Sequence, residues 1–82
     1  MNIAEEVKKI ISEVTGEPQE LIFSTLEFSD IGSGDELDKM LEKTEIIMDC
    51  EEIFGISLEA EEESINSIEN LVELIKQKTT EK

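Results

Sequence analysis

DELDKMLEKTEIIMDCEEIFG, residues 35–55, is the stretch on which the fold turns. Leu37, Met40, Thr44, Ile47, Cys50 and Phe54 follow one another at spacings of 3, 4, 3, 3 and 4, with Leu41 and Met48 widening the stripe. That is the period of an amphipathic helix. Asp35 and Asp38 supply an acidic capping pair at its start, and Gly55 is placed to end it. The spacing predicts a helix from Asp35 to about Phe54 with Leu37, Ile47 and Phe54 buried. Met40, Met48 and Cys50 read as filling for the same core.

Upstream, IAEEVKKIISEVT (3–15) sets Ile3, Val7, Ile10, Ile11 and Val14 on one helical stripe. Asn2 and Glu5 form its capping pair, and Gly16 and Pro18 stop it. Residues 17–34, EPQELIFSTLEFSDIGSG, have no sustained period but carry Leu21, Ile22, Phe23, Leu26, Phe28 and Ile31. So apolar a connection is expected to fold back over the core. Downstream, Ile56 and Leu58 are a short apolar link and EAEEES (59–64) one brief acidic turn. A last helix, about 67–78, offers Ile68, Leu71, Val72 and Ile75 to the core, with Asn66 and Glu69 as its expected capping pair. No segment reads as a strand. The prediction is one all-α domain over residues 1–82: three main helices, one short helix and a long loop between the first two.

Composition restricts the function. A chain of 82 residues buries only about 60 to 65 per cent of its unfolded surface, which favours a simple core over a large enclosed active site. There is no His, Trp or Tyr, which removes the usual general base, the commonest metal ligand and the stacking platform for bases. The formal net charge is −15, from 22 acids against 7 lysines. Residues 27–63 hold fourteen of those acids and two lysines. Such a field repels nucleic acid and anionic membranes and steers basic partners. The single Cys50, the want of a basic and apolar leader, and the want of a run of about 20 apolar residues predict a soluble cytoplasmic protein.

The junction GSGDELDKML (32–41) invites several site readings. A phosphate loop needs a Lys beside its glycines, whereas here Asp35, Glu36 and Asp38 follow. A calcium loop starting at Asp30 would want oxygens, Gly and Glu where Gly32, Gly34, Asp35 and Leu41 stand. Cys50 has no His to activate it and lies on the apolar stripe, so it reads as a small buried residue. With no nucleophile and base pair visible, the chain is not expected to be an enzyme, and no metal site is expected.

In order, the helix, long loop, glycine turn, acidic helix and two further helices resemble an acyl carrier protein over nearly the whole chain. The most specific part is EIIMDCEEIFGISL (45–58), which looks like the family's second helix and its exit; IAEEVKKII and INSIENLVELI (65–75) look like its first and last helices. The resemblance implies a four-helix bundle, a role near fatty-acid or polyketide-type acyl assembly, and docking of the acidic second helix on basic patches of partner enzymes. The family carries 4′-phosphopantetheine on the Ser of an Asp-Ser-Leu motif. Counted forward from Phe28, Asp35-Glu36-Leu37 falls on that motif and Glu36 occupies the position of the serine. Counted backward from Phe54, four extra residues, most economically LEKT (41–44), place Met40 there instead. Neither count restores a hydroxyl.

The resulting expectation is a monomeric, acyl-carrier-like protein lacking the usual prosthetic group. It would dock through Asp35, Glu36, Asp38, Glu42, Glu45, Asp49 and Glu52 on the basic surface of an acyl-chain synthesis or transfer enzyme. Two alternatives remain open: an active, divergent carrier bearing 4′-phosphopantetheine on Ser33, and an acidic interaction module unconnected with acyl chemistry.

Overall fold

A computed structural model describes residues 2–23, 25–31 and 34–80. Three α-helices carry the architecture: α1 (Ile3–Thr15), α2 (Glu36–Phe54) and α3 (Ile68–Thr80). Short 3-10 segments at Gln19–Leu21, Phe28–Asp30 and Glu59–Ser64 punctuate the connections. No strand occurs among the described residues; the one extended contact is an isolated antiparallel bridge between Glu27 and Ser67. The chain is all-α, as its apolar periods predict.

The helix ends follow from their capping chemistry. The Asn2 side chain accepts from the Glu5 amide at 3.2 Å, and Gly16, in the left-handed region, donates to the Ser12 carbonyl to close α1. Asp35 accepts from the Asp38 amide at 3.0 Å and Gly55 closes α2. Such caps contribute about 0.5–2 kcal/mol each. The start of α3 differs from the sequence expectation. Ser67, not Asn66, accepts through Oγ from the amide three residues on, that of Asn70. The Asn70 side chain accepts from the Asn66 amide in return. The helix starts one residue later than expected because the Glu27–Ser67 bridge holds residue 67 in extended geometry.

One apolar core runs through the molecule. Val7, Ile10 and Ile11 of α1, Ile46, Ile47 and Cys50 of α2, and Ile68, Leu71, Val72 and Ile75 of α3 are buried, closed by Ile22, Phe28, Ile31, Leu58 and Ile65 from the connections. Each such aliphatic side chain contributes about 1.5–3 kcal/mol relative to an exposed one. No polar or charged residue is buried among the described residues. The 17–34 connection folds back as expected at Ile22, Leu26, Phe28 and Ile31, but Leu21 and Phe23 remain exposed.

The expected burial along α2 is corrected in its first half. Leu37 and Met40 are 63% and 65% exposed, Leu41 and Met48 62% and 59%, and Thr44 is also exposed. Phe54 is half-buried. The reason is geometrical. From Leu37 to Phe54 the stripe takes five steps over 17 residues, a mean of 3.4, so against a helix of 3.6 residues per turn it rotates by about 100°. This turns Leu37 away from the core, whereas Met40, seven residues before the buried Ile47 and within about 20° of its direction, is in phase with the core and is nevertheless exposed, lining a groove at the start of the helix.

Candidate functional site

α2 continues without a break through Leu41–Thr44, the residues that the resemblance would count most economically as extra. Its surface divides into distinct columns. Asp38, Glu45 and Glu52, spaced by seven, are all exposed. Asp35, Glu42 and Asp49, also spaced by seven, form a second column closer to the core edge: Asp35 is exposed, while Glu42 and Asp49 are half-buried. One carboxylate oxygen of Glu42 is shut off from solvent without a hydrogen-bond partner, so only part of that carboxylate faces outward. Beside the Asp38 column, on the side away from Asp35, stand the uncovered side chains of Leu37, Leu41 and Met48. Six of the seven acids expected to dock thus lie in two adjoining columns.

Glu36 stands apart. It opens α2, is exposed, and lines a groove of about 410 Å³ whose walls include Phe28, Lys39, Met40, Lys43 and Asn66. A carboxylate in the first turn is favoured by about 0.3–1 kcal/mol in the field of the helix N-terminus. Met40, the other residue that a count places at the serine position, lines the same groove one turn on. Lys39 Nζ donates to the Ser29 carbonyl at 2.6 Å, and Lys43 Nζ lies 5.9 Å from the centre of the Phe28 ring. These two lysines were not singled out as functional from the sequence. Their signal was there: they are the only cations between residues 27 and 63, and they sit one helical turn apart. Both are turned to the connection preceding α2, away from the exposed acids.

The turn before α2 is fixed by Gly34 at φ 102°. A Cβ there would run into the Asp38 carboxylate, so the approach of chain and helix start requires glycine. Ser33, the expected alternative attachment point, lies outside the described residues.

Cys50 is fully buried between Asp49 and Glu51. Burial pushes its thiol up to about 12, and the carboxylates of Asp49 and Glu51 add in the same direction. A thiol held protonated is a poor nucleophile. Among the described residues no cluster of three or more His, Cys, Asp or Glu side chains could hold a metal ion, and no helix is long and apolar enough to cross a membrane. The outer face of α2 thus combines exposed carboxylates with uncovered apolar side chains, and a groove lined by two lysines lies at one end of it.

No family model matches the chain, and neither does any curated protein.

Proposed function

We propose that this is an acyl-carrier-like protein without the usual attachment serine, which works by docking the outer face of α2 on a basic surface of an enzyme of acyl-chain synthesis or transfer. The observation that carries the proposal is the exposed column of Asp38, Glu45 and Glu52 running beside the uncovered Leu37, Leu41 and Met48. Exposed carboxylates speed encounter with a basic partner and select against acidic ones, and the apolar side chains beside them supply contact area that charge alone does not. The helix order and the EIIMDCEEIFGISL run support the acyl-carrier reading. Glu36, in the place of the serine, keeps a negative charge at the helix start but offers no hydroxyl from which a phosphodiester could be made.

Two measurements test this. The intact mass before and after incubation with coenzyme A and a broad-specificity phosphopantetheinyl transferase is expected to stay the same while an ordinary carrier in the same tube gains its prosthetic group. An adduct, mapped to Ser33, would make the protein a working carrier instead. Binding to a basic acyl-chain enzyme is expected to weaken with added salt and on Glu45→Lys with Glu52→Lys. Indifference to both would remove the docking role.

A further inference from the structure

Leu37, Leu41, Thr44 and Met48 are all exposed, and they follow one another at spacings of 4, 3 and 4. On a helix of 3.6 residues per turn they form one nearly straight ridge, turned about 140° from the mean direction of the buried Ile46, Ile47 and Cys50. Alternation of three and four is the spacing that keeps a seam in register with a second helix lying along it. It fits a strand less well, because side chains on one face of a strand recur about every 6.6–6.8 Å, while these rise by about 4.5 and 6 Å in turn. Asp38, Glu45 and Glu52 each sit one residue beyond a seam position or its continuation, the flanking place from which charges choose the partner in paired helices.

Resting on the docking reading above, we infer that the occupant of this face is a basic amphipathic helix of another protein. It lies along α2 with its apolar stripe on Leu37, Leu41, Thr44 and Met48 and with Lys or Arg opposite the column of Asp38, Glu45 and Glu52. A second copy of this chain fits badly. The cations of α2 are Lys39 and Lys43 alone; one is bonded to the Ser29 carbonyl and the other is over Phe28. Two such faces would set carboxylates against carboxylates on chains of charge −15 each. The seam runs from Leu37 to Met48, 12 residues, about three turns and about 16 Å, so the helix it takes is short and the complex exchanges quickly.

The test titrates the full chain with two synthetic peptides of roughly three heptads. One has Leu at the two seam positions and Lys at the flanking ones; the other has the same composition scrambled. Calorimetry gives the affinities, and amide shifts locate the contact. The register peptide is expected to bind at least about tenfold more tightly than the scrambled one, to shift the amides of residues 37–48, and to become helical on binding. Leu41→Asn and Met48→Asn should each remove most of that difference while leaving the melting temperature unchanged, since both side chains are exposed. Equal, salt-sensitive binding of the two peptides would overturn helix pairing while leaving a charged docking face. Absence of binding by either peptide at low salt would overturn that docking reading as well. A dimer of the chain alone in sedimentation equilibrium, broken by Leu41→Asn, would assign the seam to self-association and overturn the inference.

Discussion

Both halves of α2 carry apolar side chains, three in residues 36–44 and six in 46–54, but only the second half reaches the core. Within 46–54, Ile46, Ile47 and Cys50 are almost wholly covered and Phe54 is half-buried, while Met48 and Ile53 stay exposed; from Leu37 to Leu41 every apolar residue is uncovered, although Leu and Met are as large. α1 packs over α2 and the Phe28–Asp30 turn lies against it, yet Leu37 and Leu41 on the outer side of the first two turns remain 63% and 62% exposed. The contrast teaches that hydrophobicity gives a residue's preference, while the phase of the helix gives its place. A ridge that is out of phase with the core by well over a right angle is available to a partner whatever its composition.

The comparison can be broken most sharply by truncation. Ile47→Ala is expected to cost about 2–5 kcal/mol in urea unfolding, enough to leave a domain of ordinary stability partly unfolded. Leu41→Ala should stay within about 0.5 kcal/mol of the parent. Similar losses at the two sites would mean that the first half of α2 is packed after all.

Cys50 sharpens the buried side of the contrast through pH. Its folded-state value of about 12 stands above the ordinary 9.0. The protonated thiol is therefore favoured by folding, and the contribution is complete below pH 9 and lost as pH rises from 9 towards 12. Thermal melts should show stability falling across that window, and Cys50→Ala, measured against its own value at pH 8, should show a shallower fall. Below pH 9 a thiol reagent should modify Cys50 only at the rate of unfolding.

Smaller effects follow at the helix ends and on the outer face. Ser67→Ala should cost about 0.5–2 kcal/mol by removing the acceptor for the Asn70 amide. Asn66→Ala should cost less, because the Asn66 side chain makes only a 3.5 Å bond to the Ser64 carbonyl. The reverse order would restore Asn66 as the cap. Glu45→Lys, on the exposed face of a chain of charge −15, is expected to raise the melting temperature slightly at low salt and to have no effect at high salt, since relief of like-charge repulsion is what salt screens.

The helices were legible because their signals are local. The α1 range, the Asn2, Gly16, Asp35 and Gly55 ends and the burial of Ile47, Ile68 and Leu71 all follow from spacing and capping chemistry read within a few residues. What escaped depends on contacts far apart in sequence. Ser67 caps α3 because a bridge to Glu27 sets the residue's geometry, and no reading of 65–75 alone contains Glu27. Leu37 reads as buried only while the stripe is followed without summing its rotation, a sum available from the numbers 37, 40, 44, 47, 50 and 54. Met40 is in phase with the buried Ile47, so its exposure is not contained in the spacing at all. The acids of the candidate site were legible as a set; their division into two columns spaced by seven was also in the sequence, but the columns became meaningful only when one was exposed and the other partly covered.

The Glu27–Ser67 bridge has a consequence for the order in which the molecule assembles. Phe28 N–H reaches the Asn66 carbonyl at 2.9 Å and Ile68 N–H the Leu26 carbonyl at 3.0 Å, joining residues 38 and 42 places apart. Every residue of α2 lies inside the ring so closed. Closing a ring of that length carries an entropic cost that a helix forming on its own does not meet, and most of that cost falls before the two bonds exist. The helices are therefore expected to form first and the bridge late, and native-state hydrogen exchange is expected to show the amides of Phe28 and Ile68 opening together. Their shared exchange rate would be a clock for the opening of the ring that encloses α2.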